Sequence, residues 1–448
     1  MADKEYLPLK ETKTAQSKIQ PQNFPERVVW YAMTGTYVSY LFGATYIVGS
    51  VIGWILFFYL VLKLWLQDED TPPQERIVIP WITWVWILGM LMMEVALIIG
   101  HLDFNLPMSQ IIKSSIGWAK GWALIALYPL AGCLNIRPQL IYRAVCVIGL
   151  HTLFLSPLLI AAPLLHLPQT LYVSPLKAVG AGLGPSFFDV SLYAVDFDGQ
   201  IRQRLFTPWG PALGFVANVY FTLAMREENK KWRWYGIIGA VYMSQICKSR
   251  LAQVAILSTP IFIFVLSRLI RPYILMLMGG ASVGIGILAT TILNAIAAFW
   301  KKFKAARADS SRVRKVLKDI AFYRAEKEAP IWGHGVLEMG PHVAEFMPIG
   351  SHHTWAGLAF VKGMVGFYSL AIPMMLSFLF LLVKAQKHKI AGTGLAILFI
   401  LFLYTFGENL EILAYLYWPG MIVMGIAFKP TIEKSEAIET ETTKITGK

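Results

Sequence analysis

Charge is what this sequence has least of. Only 15% of its 448 residues are Asp, Glu, Lys or Arg, while 56% are hydrophobic; an ordinary soluble domain carries roughly 25% charged residues. A soluble enzyme is thereby excluded. Also missing is the alternation over ~10-residue strands that marks an outer-membrane barrel. Instead, continuous apolar runs of ~17 to 28 residues recur from Val28 to Phe428, about what a helix needs to cross a bilayer. Cysteine is scarce: Cys133, Cys146 and Cys247 all fall in or beside apolar runs, so neither a disulfide framework nor a Cys-rich zinc site is expected. Residues 1–27 lack an apolar core followed by a small-residue cleavage site and read as a polar tail, not a signal peptide. Acidic side chains are nearly absent from the spans, Glu94 being the clear exception, which weighs against an ion-coupled pathway through the midplane. No internal repeat is evident, and nothing in the pattern points to nucleic acid.

What is present is a series of twelve apolar segments, at about 28–47, 48–66, 77–99, 116–134, 144–165, 209–225, 234–247, 250–266, 272–298, 355–383, 390–406 and 411–428. The first two are separated near Gly43 to Gly49. The formal charge is +13, and its placement orients the chain, because short cytoplasmic loops collect Lys and Arg. With both termini inside, the basic connections Asn135–Arg143, Arg226–Trp234, Ser267–Arg271 and Lys384–Lys389 all fall on the cytoplasmic side. The expected architecture is an all-α polytopic membrane protein of about twelve transmembrane helices. A cytoplasmic tail (1–27) leads to helices 1–5 (28–164), a first outer loop (165–208), helices 6–9 (209–298), a large basic and partly helical outer loop (299–354), helices 10–12 (355–428) and a second cytoplasmic tail (429–448).

From Lys301 to Lys327 the second outer loop carries ten Lys or Arg residues, including Lys301, Lys302, Lys304, Arg307 and Arg312, an unusual load for a translocated segment. Val313, Val316, Leu317 and Ile320 keep helical spacing behind Asp309, Ser310 and Ser311 as N-cap candidates. One reading is an amphipathic helix on anionic headgroups. The other is a phosphate clamp, because the planar guanidinium fork binds phosphate oxygens bidentately. Next comes the turn Trp332-Gly333-His334-Gly335, then Ser351-His352-His353-Thr354 directly before a span. With Ser351 as N-cap, His352 sits on the first helical turn, where the helix dipole favours a neutral imidazole able to accept a proton. An ordinary hydrogen-bonding histidine, or a zinc site from His334, His342, His352 and His353, are the competing readings, although no HExxH-like spacing is present. Farther along, Gly363 and Gly366 would let another helix approach closely. Arg250 opens a short span, and Arg202 and Arg204 lie just before the span that follows Pro208. Each of these arginines either faces a cavity or snorkels.

His352, then nine residues between His353 and Gly363, then Gly366 in a GxxG arrangement, resembles the signature of the O-antigen ligase and O-antigen polymerase superfamily of bacterial glycosyltransferases. Arg202, Arg204, Phe206, Pro211 and Gly214, then Ser249-Arg250, then Ser310-Ser311-Arg312 fit the family pattern in order, so the likeness runs from roughly residue 200 to 367. The resemblance implies a transferase without a metal or other cofactor at the outer face of the inner membrane. Its donor would be a glycan on undecaprenyl diphosphate. His352 would be the general base toward the acceptor hydroxyl, and Arg250, Arg312 and one of Arg202 or Arg204 would hold the diphosphate. One position departs from the pattern: the residue after the histidine is usually Asn, Ser or Gln, and here it is a second histidine, His353.

The leading expectation is therefore a polymerase joining lipid-linked repeat units into an exopolysaccharide, capsule or O-antigen, with membrane lipids and a chain-length regulator as partners. A ligase moving the finished glycan to lipid A core or protein is the alternative. A transporter of the same lipid-linked glycan is the reading from a different class.

Overall fold

The computed structural model describes residues 19–72, 76–178, 180, 183–195, 199–305 and 308–430. Arg307 and most of both tails lie outside the described residues, as do the side chains of Lys301, Lys302, Lys304, Asp309, Ser310 and Ser311.

Among the described residues the protein is all-α apart from four very short strands. Every apolar segment becomes helical, and the starts follow local capping chemistry. Asn23 caps α1 (Phe24–Thr34) by accepting from the Glu26 amide at 2.9 Å. A turn around Gly43 separates α2 (Thr36–Leu41) from α3 (Thr45–Trp65). Then follow α4 (Trp81–Asp103), α5 (Met108–Lys120), α6 (Trp122–Ala131) and α7 (Pro138–Leu164), the last opened by proline at its first turn. After the strands come α8 (Gly210–Ala224), α9 (Lys230–Ile246) capped by Asn229, α10 (Arg250–Leu266) capped by Ser249, and α11 (Pro272–Ile287). The chain ends with α12 (Ala289–Ala305), α13 (Ala308–Glu328), α14 (Thr354–Ala385), α15 (Lys389–Tyr404) and α16 (Leu410–Phe428).

Five of these helices, α3, α4, α7, α14 and α16, are long and apolar enough to cross a membrane. The α11–α12 pair, expected as one straight span, is bent by 80° at its break. The segment at 116–134 is likewise broken, at Gly121 between α5 and α6. Helices α8, α10 and α15 are apolar but have only 15, 17 and 16 residues. Of the α16 span 83% is buried, against 33% for α3 and for α14, so α16 is the central post around which α3, α6, α8 and α15 pack.

The long connections gather at one end of the bundle. There β1 (Thr170–Val173) pairs antiparallel with β2 (Asp189–Ser191), and β3 (Ala194–Val195) with β4 (Ile201–Arg202). Helix α13 lies against the start of α14, its Val313 and Leu317 meeting Ala344 while Ala321 meets Ile349, Ala356 and Phe360. Val313 and Leu317 are two of the four residues whose spacing predicts an apolar helical face, and the other two, Val316 and Ile320, pack partly buried against the same clusters. The opposite end carries the short basic connections, with Arg137 ion-paired to Glu26 and Arg143 to Glu227, each at 2.7 Å.

Candidate active site

The site is organised by a break in α14. Gly363 has φ 60° and ψ −159°, a conformation essentially restricted to glycine. The turn at Pro330–Gly335 docks onto the gap. His334 and Gly335 amides donate to the carbonyls of Phe360 and Val361, both at 2.9 Å, and the Met364 and Val365 amides donate to those of Pro330 and Ile331 at 2.9 and 3.2 Å. Backbone groups that the kink removes from the helix ladder are thus paired again, as non-helical backbone at membrane depth requires. This corrects the helix-packing role expected for Gly363 and Gly366. The element that reaches Gly363 is a loop, and the position a Gly366 side chain would take abuts Lys362 of its own helix. His334 is held by the same turn: its ring stacks on Phe360 at 4.2 Å, and Nε2 meets Glu328 at 2.8 Å.

The helix start also differs from expectation. The N-cap of α14 is His353, not Ser351, and His352 lies outside the helix with a left-handed φ of 61°. Nδ1 of His353 accepts the Ala356 amide at 3.2 Å, so the neutral ring carries its proton on Nε2 and has no lone pair left for a second. The ring stands edge-on to Phe322 and Phe406. Burial, with the charge of Lys318, lowers its pKa. No described residue hydrogen-bonds to the His352 ring. Burial, reinforced by the Arg314 charge, pushes its pKa down to about 4, so at neutral pH it is an uncharged base whose ring lone pair no described residue occupies.

The first turn of α14 is tied to the turn between α15 and α16. Thr354 donates from its amide to the Thr405 carbonyl at 2.8 Å and from Oγ1 to the Glu408 carbonyl at 2.6 Å. The Glu408 carboxyl is buried, accepts from Trp209 Nε1 at 2.9 Å and, through desolvation, has its pKa pushed up to about 7 despite the opposing charge of Arg314. A group poised near neutrality is suited to proton transfer. Glu408 lies in the turn between α15 and α16, and its burial comes from the Trp209 segment closing over it, which no local sequence pattern announces.

The four expected arginines separate. Arg204 is buried and committed: it ion-pairs with Asp189 at 2.6 Å and donates to the Ser186 and Pro208 carbonyls, both at 3.2 Å. Arg312 is exposed and donates to the Val343 carbonyl at 3.0 Å. Arg202 and Arg250 flank the Cys247–Ser249 turn: Gln203 donates from its amide to the Ile246 carbonyl at 3.2 Å, and Leu251, next to Arg250, packs against Gly407. The start of α10 therefore borders the same α15–α16 turn as Glu408. Arg314 is the arginine of α13 whose charge bears on both His352 and Glu408. Residues two apart on a helix point about 200° apart, so Arg312 and Arg314 face different ways, and the Ser-Ser-Arg match selects the one that faces away.

Two cavities flank the segment His353–Trp355. On one side lies a groove of about 790 Å³, almost wholly apolar, between α10, α14 and α15; it is lined by His353, Trp355, Phe367, Met374 and Phe399, with Lys318 of α13 at its edge. On the other side a cleft of about 700 Å³ is lined by Thr354, Gly357, Lys362, Asn409 and Glu411, with Lys113 and Lys120 of α5 facing it. Lys362 is 3% exposed, and the charges of Glu411 and Glu94 bear on it. Among the described residues no three His, Cys, Asp or Glu side chains group as metal ligands.

The fold and site define an all-α membrane protein with a broken helix and, at the end of the bundle where the long loops gather, a histidine ring to which no described residue hydrogen-bonds. No protein-family model matches the chain, and no curated protein matches it.

Proposed function

We propose that the protein is a membrane glycosyltransferase that polymerises oligosaccharide repeat units carried on undecaprenyl diphosphate, acting at the outer face of a bacterial inner membrane through a twelve-span topology with both termini inside. The observation that carries the reading is the pair of cavities on either side of the segment His353–Trp355, which directly follows His352 in the chain. The apolar groove suits a polyprenyl chain, and the polar cleft on the far side of His353–Trp355 suits a sugar acceptor. In this scheme Arg202, Arg250 and Arg314 lie around the diphosphate, and Lys318 stands where groove and headgroup meet. Positive charge there offsets the charge that grows on the departing lipid diphosphate as the glycosidic bond breaks. His352 takes the proton of the acceptor hydroxyl, whose oxygen attacks the anomeric carbon. His353 caps the helix and holds its neighbour in place; of the Asn, Ser or Gln usual in the family pattern, Asn and Ser are strong N-caps.

The test is transfer by purified protein supplied with lipid-linked repeat units and no other acceptor. A growing ladder is expected from the wild-type chain. General-base catalysis contributes about 10²- to 10⁴-fold, so His352→Ala should lose that much turnover while still binding donor. A mixture inert until lipid A core is added would make the protein a ligase. Full activity in His352→Ala would remove the general-base role altogether.

A further inference from the structure

At the end of the bundle opposite His352, the ends of α8, α10 and α14 and the start of α15 enclose a cavity of about 460 Å³. Arg226, Arg268, Arg271, Lys387 and Lys389 line it, and no Asp or Glu does. Basic short loops at this end are expected from topology alone, but topology accounts only for charges that water solvates. Two neighbours show how an arginine here is normally neutralised, Arg137 by Glu26 and Arg143 by Glu227. Arg226 adjoins Glu227 in sequence, yet Glu227 is spent on Arg143, and no described residue accepts a hydrogen bond from the Arg226 guanidinium. Its guanidinium is half-buried in the cavity wall beside the like charge of Arg268. Arg268 is itself fixed in place, lying over the Phe264 ring at 4.0 Å and donating to the Phe264 carbonyl at 3.2 Å. Gly392 opens the floor: Arg226 Nη2 is 3.8 Å from where a side chain would begin. Deeper in, Pro260, Ile263 and Ala396 make the wall apolar.

We infer that this cavity binds a phosphate-bearing anion, held by Arg226 and Arg268 with Arg271, Lys387 and Lys389 at the mouth. Partly buried guanidinium groups gathered without a carboxylate are stabilised by an acceptor that takes two donors from each planar fork, which phosphate does. The apolar floor suits the glycerol and first acyl carbons of a phospholipid; a soluble phosphorylated ligand would use the same cationic mouth. This site is independent of the transfer chemistry at the other end.

Native mass spectrometry of the detergent-solubilised full chain tests the proposal, with phosphatidylglycerol, phosphatidylcholine or inorganic phosphate as the probe. Retention of phosphatidylglycerol over phosphatidylcholine is expected, weakened roughly tenfold or more in Arg226→Gln. Lys231→Gln, which removes an exposed charge at the same end, should leave retention unchanged. A merely structural arginine would lower the melting temperature of the lipid-free protein when replaced; Arg226→Gln should not, since it removes an unpaired charge. Retention of inorganic phosphate in an Arg226-dependent manner, with no preference between the lipids, supports the site with a soluble ligand. Equal phosphatidylglycerol retention in wild type and Arg226→Gln, or equal loss in Lys231→Gln, overturns it.

Discussion

Replacing Gly363 by alanine tests whether the break in α14 is built or incidental. A Cβ at this position would overlap the Ile331 carbonyl and come within 2.7 Å of the Gly333 nitrogen, both backbone atoms that cannot turn aside. The φ of 60° with ψ −159° adds a conformation that L residues avoid, costing roughly 1 to 3 kcal/mol. Relief requires the Pro330–Gly335 turn to withdraw. That forfeits up to four hydrogen bonds worth about 1 kcal/mol net apiece, and leaves their partners at a depth with no water to replace them. The expected loss is about 3 kcal/mol, concentrated at the site, because His334 and the start of α14 move with the turn. Thermal unfolding in detergent measures the cost, and hydrogen exchange at the Met364 and Val365 amides locates it. An alanine variant with unchanged melting and undiminished protection would refute the docked break and, with it, the construction of the site.

The remaining predictions concern individual side chains. Replacing Arg204 by Gln should cost about 3–5 kcal/mol of stability, read by thermal denaturation, because it strands the Asp189 carboxylate in a buried pair where the two side chains are 9% and 8% exposed. His353→Asn should keep both the cap and transfer activity, whereas His353→Ala should lose about 1 kcal/mol of helix stability; inactivity of the Asn variant would move the base to His353. Because burial and Arg314 hold His352 below its ordinary value, its lone pair remains free as pH falls until about 4. The acid limb of kcat/KM for the free enzyme should therefore lie well below the usual histidine range, and an inflection near pH 7 should disappear in Glu408→Gln.

What the sequence determined by itself was whatever depends on local or periodic chemistry. Run length and the scarcity of charge specified an all-helical membrane protein, and the spacing of Val313 and Leu317 marked the buried face of α13. These are readable because a helix repeats every 3.6 residues. Tertiary structure decided the rest. Glycine spacing at Gly363 and Gly366 is the same whether a helix or a loop fills the gap, and only the docking of Pro330–Gly335 selected the loop. Arg204 and Arg312 are the same residue type, and what separates them is the group that claims each guanidinium, the buried Asp189 carboxylate for one and the Val343 carbonyl at the surface for the other. Glu408 became a poised carboxyl only because Trp209, 199 positions away in the chain, closes over it and keeps water out. Desolvation and long-range pairing depend on what the folded chain brings together, and no window of sequence contains both partners.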